Sequence, residues 1–224
     1  MTLIEGGCEV NLLRNYPVTL RNLNERVTSK TDDDRKIARE FGREFFDGER
    51  RHGYGGFSYN PKYWSQVVKD FIEFYGLESN ASILDIGCGK GFMLYDFLSV
   101  NPKLKVKGID ISNYAIENCM PEVKQYVSVG NAKKLDFKDN SFDLVISINT
   151  LHNLDLEECK NAFKEVVRVS KKHAFIVVDA YRNSEEKNRM ESWNLTAQTY
   201  MSTVNWETFF KDVGYTGDYY WFIP

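Results

Sequence analysis

Three closely spaced glycines, placed directly after a short apolar run, constrain the fold of this chain more than any other feature. Residues 83–97 read Ile-Leu-Asp-Ile-Gly-Cys-Gly-Lys-Gly-Phe-Met-Leu-Tyr-Asp-Phe. The apolar run predicts a strand, the glycines predict a turn, and the residues from Phe92 onward predict a helix. Because glycine has no Cβ, such a turn lets backbone N–H groups approach a ligand closely. The segment therefore predicts a ligand site between a strand and a helix.

Strand and helix patterns alternate along the chain after this turn. Strands are predicted at 82–86, 104–110, 125–129, 142–148, 173–178 and 218–223, with helices between them. This alternation predicts an α/β fold, a doubly wound and mostly parallel sheet with helices on both faces. In such sheets ligands lie at the carboxyl ends of the strands, where the strand order reverses. We therefore expect the functional residues directly after the strands.

The chain is predicted to divide into two parts. Residues 1–60 are predicted to be an N-terminal extension, helical over 32–46, and residues 61–224 to be the ligand-binding domain. No fixed structure is predicted for residues 1–30.

A loop rich in glycine and aromatic residues, residues 53–59, ends the extension. Two interpretations stand for it. It is either a lid in which Tyr54 and Tyr59 cover the ligand, or an ordinary loop held in place by aromatic anchors.

Composition argues against several classes of protein. The 29 basic and 32 acidic residues give a net charge of −3, which does not suggest the basic face of a nucleic-acid-binding protein. The four cysteines are scattered without a C-x-x-C pair, so neither a structural zinc nor a disulfide framework is predicted. No apolar run approaches the ~20 residues that span a bilayer. We expect a cytoplasmic protein with no metal, no membrane and no nucleic-acid partner.

An acidic residue, Asp110, ends the second predicted strand about 20 positions beyond the glycine turn, where a carboxylate accepts hydrogen bonds from ribose hydroxyls. The alternative is a simple turn residue. Two cofactors fit a glycine turn with such a carboxylate, a dinucleotide and an adenosyl sulfonium. The dinucleotide fingerprint G-x-G-x-x-G requires glycine at the position of Phe92, so the sequence argues against a nicotinamide dinucleotide.

The same segments resemble the motifs of a known family. Residues 84–91 closely resemble motif I of class I S-adenosylmethionine-dependent methyltransferases, and residues 108–112 resemble the second motif. Residues 130–132 and 140–147 resemble later motifs in the same order. The resemblance covers about residues 80–180. It implies a Rossmann-like methyltransferase fold with S-adenosyl-L-methionine as the cofactor.

The resemblance also implies roles for single residues. Asp85 would lie near the methionine amino group, Asp110 would bind the ribose, Ile111 would lie beside the adenine, and Asn149 would contact the methionine tail. The cofactor-binding residues that it implies are Asp85, Gly87, Cys88, Gly89, Gly91, Asp110, Ile111, Asn131, Ala132 and Asn149. Cys88 is interpreted as a small residue in a tight turn rather than as a reactive thiol, because no base is visible near it.

Methyl transfer from a sulfonium is a direct displacement with a good leaving group, so alignment and exclusion of water matter more than acid–base chemistry. If the acceptor must lose a proton, His152 is the first candidate for a catalytic base, since its unperturbed pKa of about 6.5 suits that task. The alternative for His152 is a polar cap on a strand or helix. Asp179 and Tyr181 are weaker candidates.

The acceptor is predicted to be a small molecule. DNA amino-methylating enzymes of this family carry an Asp/Asn-Pro-Pro-aromatic motif after the fourth strand, where residues 147–150 read Ser-Ile-Asn-Thr. The Pro-Cys pair of cytosine-C5 enzymes is absent from the sequence. Five further aromatic residues either line the acceptor pocket or simply pack: Trp193, Tyr200, Trp206, Tyr219 and Tyr220. The alternative function is a binding protein that keeps the cofactor pocket but has lost catalysis.

The end of the chain departs from the family pattern. The family usually closes its sheet with two strands after the last helix, whereas this sequence offers only residues 218–223 there. Either one strand is missing or residues 197–204 supply it. This edge leaves open a homodimer in which a second subunit pairs with the sheet.

Overall fold

The computed structural model describes residues 6–17 and 31–224. The strands in this part of the chain are β1 (Ser82–Ile86), β2 (Lys105–Asp110), β3 (Val127–Val129), β4 (Phe142–Ile148), β5 (Ser170–Tyr181), β6 (Met201–Ser202) and β7 (Asp218–Phe222). The helices are α1 (Asp32–Arg39), α2 (Arg43–Asp47), α3 (Pro61–Phe74), α4 (Phe92–Val100), α5 (Asn113–Glu117), α6 (Leu156–Val169), α7 (Ser184–Trp193) and α8 (Thr203–Val213). Two 3₁₀ turns cover Pro121–Tyr126 and Leu151–Asn153.

These strands form one sheet in the order β3-β2-β1-β4-β5, with β6 and β7 both paired to β5. All pairings between these described strands are parallel. Strand β1 lies between β2 and β4, so the strand order reverses at its carboxyl end. This confirms the predicted doubly wound fold and puts the reversal at the glycine turn.

Strand β4 shows how the sheet separates two helical layers. Val145 belongs to an apolar cluster with residues of α6 and α8, whereas Leu144 and Ile146 belong to a cluster with residues of α3 and α4. Successive side chains of a strand point to opposite faces, and all three of these side chains are fully buried. Burial on both faces explains why the strands read as continuous apolar runs.

Two elements differ from the predictions. The predicted helix 32–46 is interrupted, because Phe41 has a φ of +49°, a left-handed conformation that ends α1 before Gly42 starts α2. Helix α7 was not predicted from the sequence. Its N-cap is Asn183, whose side chain accepts a hydrogen bond from the backbone N–H of Glu186.

The far edge of the sheet has pairing segments that the sequence did not predict with certainty, one in strand β6 and one in residues 8–10. Strand β6 falls within residues 197–204 and pairs with the end of β5, next to β7. On the outer side of β7, Val10 N–H donates to Tyr219 C=O and Tyr219 N–H donates to Cys8 C=O. Part of the stretch with no predicted structure therefore takes the pairing position at which the sequence left room for a second subunit.

The sheet is also fastened at the start of β1. The Asp143 carboxylate accepts hydrogen bonds from Ser82 N–H and Ser82 Oγ, both at 2.9 Å. The pKa of Asp143 is lowered to about 2, first by the bond from Ser82 N–H and further by the Ser82 hydroxyl and two lysines. Asp143 therefore has a structural role, holding the start of β1 against β4.

We expect Asp143→Asn to lower the free energy of unfolding at pH 7 by about 2 kcal/mol. Because the folded pKa lies below the unfolded value, this stabilisation is complete above pH ~4 and disappears as the pH falls through about 2. Urea unfolding at pH 7 and at pH 2 measures both limits. Glu78→Gln is the control, since this largely exposed carboxylate approaches Lys172 at 3.8 Å and contributes less than about 1 kcal/mol. An equal loss for Asp143→Asn at both pH values would contradict the assignment.

Candidate active site

The loop between β1 and α4 is tied to the neighbouring strand by its backbone. Gly87 N–H and Cys88 N–H both donate to Ile109 C=O, at 2.8 and 3.0 Å. Gly87 has a φ of +85°, and a Cβ there would lie 2.0 Å from Thr150 Oγ1. Glycine is therefore required at this position both by the backbone conformation and by the closeness of the loop after β4.

Asp110 completes this attachment with its side chain. One carboxylate oxygen accepts from Gly89 N–H at 2.8 Å and the other from Ser112 N–H at 2.9 Å. Burial raises the pKa of Asp110, and the two backbone hydrogen bonds partly oppose that shift. Because each oxygen has two acceptor sites, the fixed carboxylate keeps capacity for ligand hydroxyls.

A cavity of about 530 Å³ opens beside this loop, a size typical of a site for one drug-sized molecule. Ten of the predicted site residues line it: Asp85, Gly87, Cys88, Gly89, Asp110, Ile111, Asn131, Ala132, Asn149 and His152. Gly91 does not line the cavity. It is the N-cap of α4 with a φ of +77°, and a Cβ would approach Val123 Cγ2 to 2.6 Å. The structure thus places Gly91 behind the loop, where close packing accounts for it.

Asp85 is a buried carboxylate that no described residue supplies with a hydrogen bond. Burial and the nearby charge of Asp110 raise its pKa to about 8. A carboxyl group in this state is stabilised in its ionised form by a cationic ligand group. Its position is consistent with the role beside an amino group that the resemblance implies.

Three other predicted residues differ in how far they are available to a ligand. Ile111 is 52% exposed, unusual for a large apolar side chain, and lines the cavity. Asn149 has a φ of +53°, a strained conformation that often marks functional positions. Asn131 uses its side-chain oxygen to accept from Lys133 N–H at 3.0 Å, so part of its amide already serves the turn.

The Cys88 thiol is held in its protonated form. Burial, followed by the charges of Asp85 and Asp110, raises its pKa well above the ordinary value. A nucleophilic cysteine needs the opposite environment. This favours the interpretation of Cys88 as a small residue in a tight turn.

The His152 ring is buried and bound to the end of β5. Its Nδ1 accepts from Asp179 N–H at 2.9 Å, and burial lowers its pKa. The neutral ring therefore carries its proton on Nε2, and its one lone pair is already used. Its role as a base stays a prediction, and it would require the ring to give up its bond to Asp179.

Residues 41–59, called here the cover segment, lie against the glycine loop. Asp47 is the centre of this contact: its carboxylate accepts from Lys90 Nζ at 2.6 Å, Tyr114 Oη at 2.7 Å and Phe57 N–H at 2.9 Å. Burial acts to raise the pKa of Asp47, but these three bonds outweigh it and lower the pKa to about 2. One carboxylate thus holds the cover segment against the glycine loop and α5.

Aromatic rings of the cover segment continue this contact. The Phe57 ring stacks on Phe92 with centroids 4.9 Å apart, and its edge limits the space at Gly89. Tyr54 lines the cavity, as the lid interpretation expects. Tyr59 does not, because its hydroxyl donates to Asp96 at 2.7 Å on α4. Tyr54 therefore has the place of a covering residue and Tyr59 that of an anchor.

Several aromatic residues of the cavity wall were not singled out from the sequence. These are Tyr16, Phe41, Phe45, Phe46, Phe57, Trp64 and Phe222. Of the five aromatics weighed from the sequence, Trp193 lines the cavity, whereas Trp206 is fully buried in the core. Aromatic residues make up 14% of the chain, but this content does not distinguish residues of the cavity wall from residues of the core.

Comparisons with known proteins agree with this arrangement. A family model described as a methyltransferase domain matches residues 77–221. A tRNA (carboxymethyluridine(34)-5-O)-methyltransferase of Arabidopsis thaliana is 33% identical over 140 residues, which are 62% of this chain and 33% of that protein. Phosphoethanolamine N-methyltransferase 3 of the same plant is 24% identical over 124 residues, 53% of this chain and 25% of that protein. This chain thus spans between a quarter and a third of these two relatives.

The fold has a counterpart among solved structures. The YcgJ protein from Bacillus subtilis matches with a TM-score of 0.53 and 21% identity, over 65% of this chain and 66% of that one. At this identity the match supports the fold alone. In the described part of the chain, no helix has both the length and the apolar character needed to cross a membrane.

The raised pKa of Asp85 predicts that ligand binding is coupled to the release of a proton. Binding of S-adenosylhomocysteine should release a proton near pH 7, because an ammonium group beside Asp85 lowers a pKa that stands at about 8 in the free protein. Affinity should then rise with pH below 8, by up to about tenfold per pH unit. Calorimetry in two buffers of different ionisation enthalpy measures the release, and Asp85→Asn should abolish it. Buffer-independent heats for the unmodified protein would contradict the assignment.

The hydrogen bonds of Asp47 predict that substituting this residue makes the cover segment open more often. Asp47→Asn should speed proteolysis within residues 41–59 by about tenfold or more, because it removes charged hydrogen bonds from Lys90 and Tyr114. S-adenosylhomocysteine should slow the cleavage. Glu49→Gln is the matched control, since Glu49 lies in the same segment but pairs only with exposed Arg51 among the described residues. Equal cleavage of both variants, with and without ligand, would count against a lid.

Proposed function

We propose that this chain, which belongs to the methyltransferase domain family, is a class I S-adenosylmethionine-dependent methyltransferase that transfers a methyl group to a small-molecule acceptor. The observation that carries this proposal is the continuity of one cavity. The cavity begins at the glycine loop and extends to an aromatic wall formed by the cover segment and α7. A small acceptor enclosed there would meet the methyl group away from water.

The residues present fit the cofactor. Two carboxylates, Asp85 and Asp110, suit its ammonium group and its ribose hydroxyls, and the exposed face of Ile111 suits its adenine. The amide of Asn131 and the backbone of Ala132 would hold the adenine edge, and Asn149 the methionine tail. The bound cofactor supplies an activated methyl group on sulfur.

The residues of this chain then align the cofactor with the acceptor and exclude water from the reaction. The glycine loop fixes the cofactor end through the bonds to Ile109 and Asp110. The cover segment closes the opposite side through Asp47, so the acceptor is held in line and bulk water is excluded. Such alignment accounts for much of the rate in a displacement whose leaving group is already good.

A second candidate acceptor is tRNA, which the name of the Arabidopsis relative supports. Against it stands the net charge of −3, since neutralising phosphates requires a basic face. The matched segment is 33% of that relative, so the similarity leaves most of the relative's length unmatched.

A radioactively labelled methyl group tests this proposal. With cofactor tritiated at the methyl group and extract of the source cells, we expect label in the small-molecule fraction and not in tRNA. Asp110→Ala should abolish methyl transfer. It should also weaken S-adenosylhomocysteine binding about a hundredfold, because the carboxylate's two hydrogen bonds to the ribose hydroxyls are lost. Asp136→Ala, an exposed change of the same charge, should alter neither. Label in tRNA alone would favour the second candidate, and cofactor binding without transfer to any fraction would favour a non-catalytic binding protein.

A further inference from the structure

Asp179, at the end of β5, is a buried carboxylate that the proposed cofactor contacts leave unused. It is 7% exposed and lines the cavity. Its backbone is fixed on both sides, because its N–H donates to His152 Nδ1 and its C=O accepts from Trp206 Nε1, both at 2.9 Å. No described residue donates a hydrogen bond to its carboxylate. A buried acceptor left in this state is costly unless a ligand supplies the missing donor.

The nearest ionisable neighbour does not satisfy Asp179. His152 Nε2 lies 3.7 Å from Asp179 Oδ1, which is too long for a hydrogen bond. Burial lowers the pKa of His152 and raises that of Asp179, so the histidine is neutral and provides no full positive charge. The carboxylate therefore stands in a dry wall that favours an incoming cation or a proton.

One aromatic residue pairs with Asp179 across the sheet, and a second packs against the first. Asp179 is in register with Phe222 on the adjacent strand β7, and the Phe222 ring lies 6.0 Å from the Trp193 ring. Both aromatic residues line the same cavity. A cavity lined by both a carboxylate and aromatic residues suits an ammonium group, through charge attraction and cation–π contacts.

We propose that the acceptor is an amine, and that Asp179 binds its ammonium group and takes the proton that the nitrogen must lose. This inference rests on the proposed function. The N–H bond breaks and the proton moves to a carboxylate oxygen of Asp179. The freed nitrogen lone pair forms the bond to the methyl carbon, while the carbon–sulfur bond breaks and its electron pair stays on sulfur. An anionic acceptor would instead be repelled by Asp179.

The arginines of the cavity wall do not oppose this assignment. Arg39 donates to the carbonyls of Thr196 and Ala197, and Arg50 donates to the carbonyl of Gly53. Both arise from the N-terminal part of the chain, whereas Asp179 belongs to the sheet. Both guanidinium groups thus donate to backbone carbonyls, and among the described residues Asp179 makes no ion pair with either of them.

The test compares three probes of similar shape and different charge. With S-adenosylhomocysteine at saturation, calorimetry measures binding of 2-phenylethylamine, 2-phenylethanol and 3-phenylpropanoate. We expect the amine to bind about tenfold tighter than the alcohol and the carboxylate to bind weakest. Asp179→Asn, which keeps the size of the side chain, should bring amine and alcohol to within about twofold. Asp212→Asn, an exposed change of the same charge, should keep the preference.

His152→Gln separates the two neighbouring groups. Its amide oxygen can accept Asp179 N–H, so the amine preference should persist in this variant. The inference is overturned if the alcohol or the carboxylate binds the unmodified protein as tightly as the amine, if Asp179→Asn keeps the preference, or if none of the three probes binds. A protein that does not bind S-adenosylhomocysteine at all would refute the proposed function itself.

Discussion

The site depends on the attachment of the glycine loop to the end of β2. The Ile109 carbonyl accepts two backbone N–H groups of the loop and the Asp110 carboxylate accepts a third, so consecutive peptide groups of the loop are fixed against one neighbouring strand. Hydrogen bonds of this kind are strong when buried and costly to leave unmade. They place the loop at the strand reversal, and the positions of the cavity, the cover segment and the wall of β5 follow from it.

The electrostatic character of the cavity follows from the same geometry. Three carboxylates, Asp85, Asp110 and Asp179, come from the carboxyl ends of three parallel strands and line one cavity. Burial raises the pKa of each of them. A wall of this kind disfavours anions and gains most from ligands that bring positive charge or hydrogen-bond donors. The sulfonium cofactor and the proposed amine acceptor both bring positive charge, and they would bind at two ends of the same cavity.

The sequence predicted the parts of the site that depend on strand ends. Because parallel strands bring their carboxyl ends to one edge, Asp85, Asp110 and Asn149 could be grouped without a structure. It did not predict the contact between Asp47 and Lys90, since a pair 43 positions apart leaves no local pattern. The sequence also did not predict the helix break at Phe41 or the hydrogen bond from Asp179 N–H to His152 Nδ1. Both are set by tertiary contacts rather than by local propensity.

The outer edge of the sheet has a consequence for protein engineering. Strand β7 is covered there by the backbone of residues 8–10, far outside the matched segment 77–221. A fragment trimmed to that segment would expose a row of unpaired amides and carbonyls on β7, next to the aromatic side chains of Tyr219 and Trp221. Open strand edges of this composition recruit other chains. The backbone of residues 8–10 therefore shields an edge that the matched segment alone would leave open to pairing with other chains.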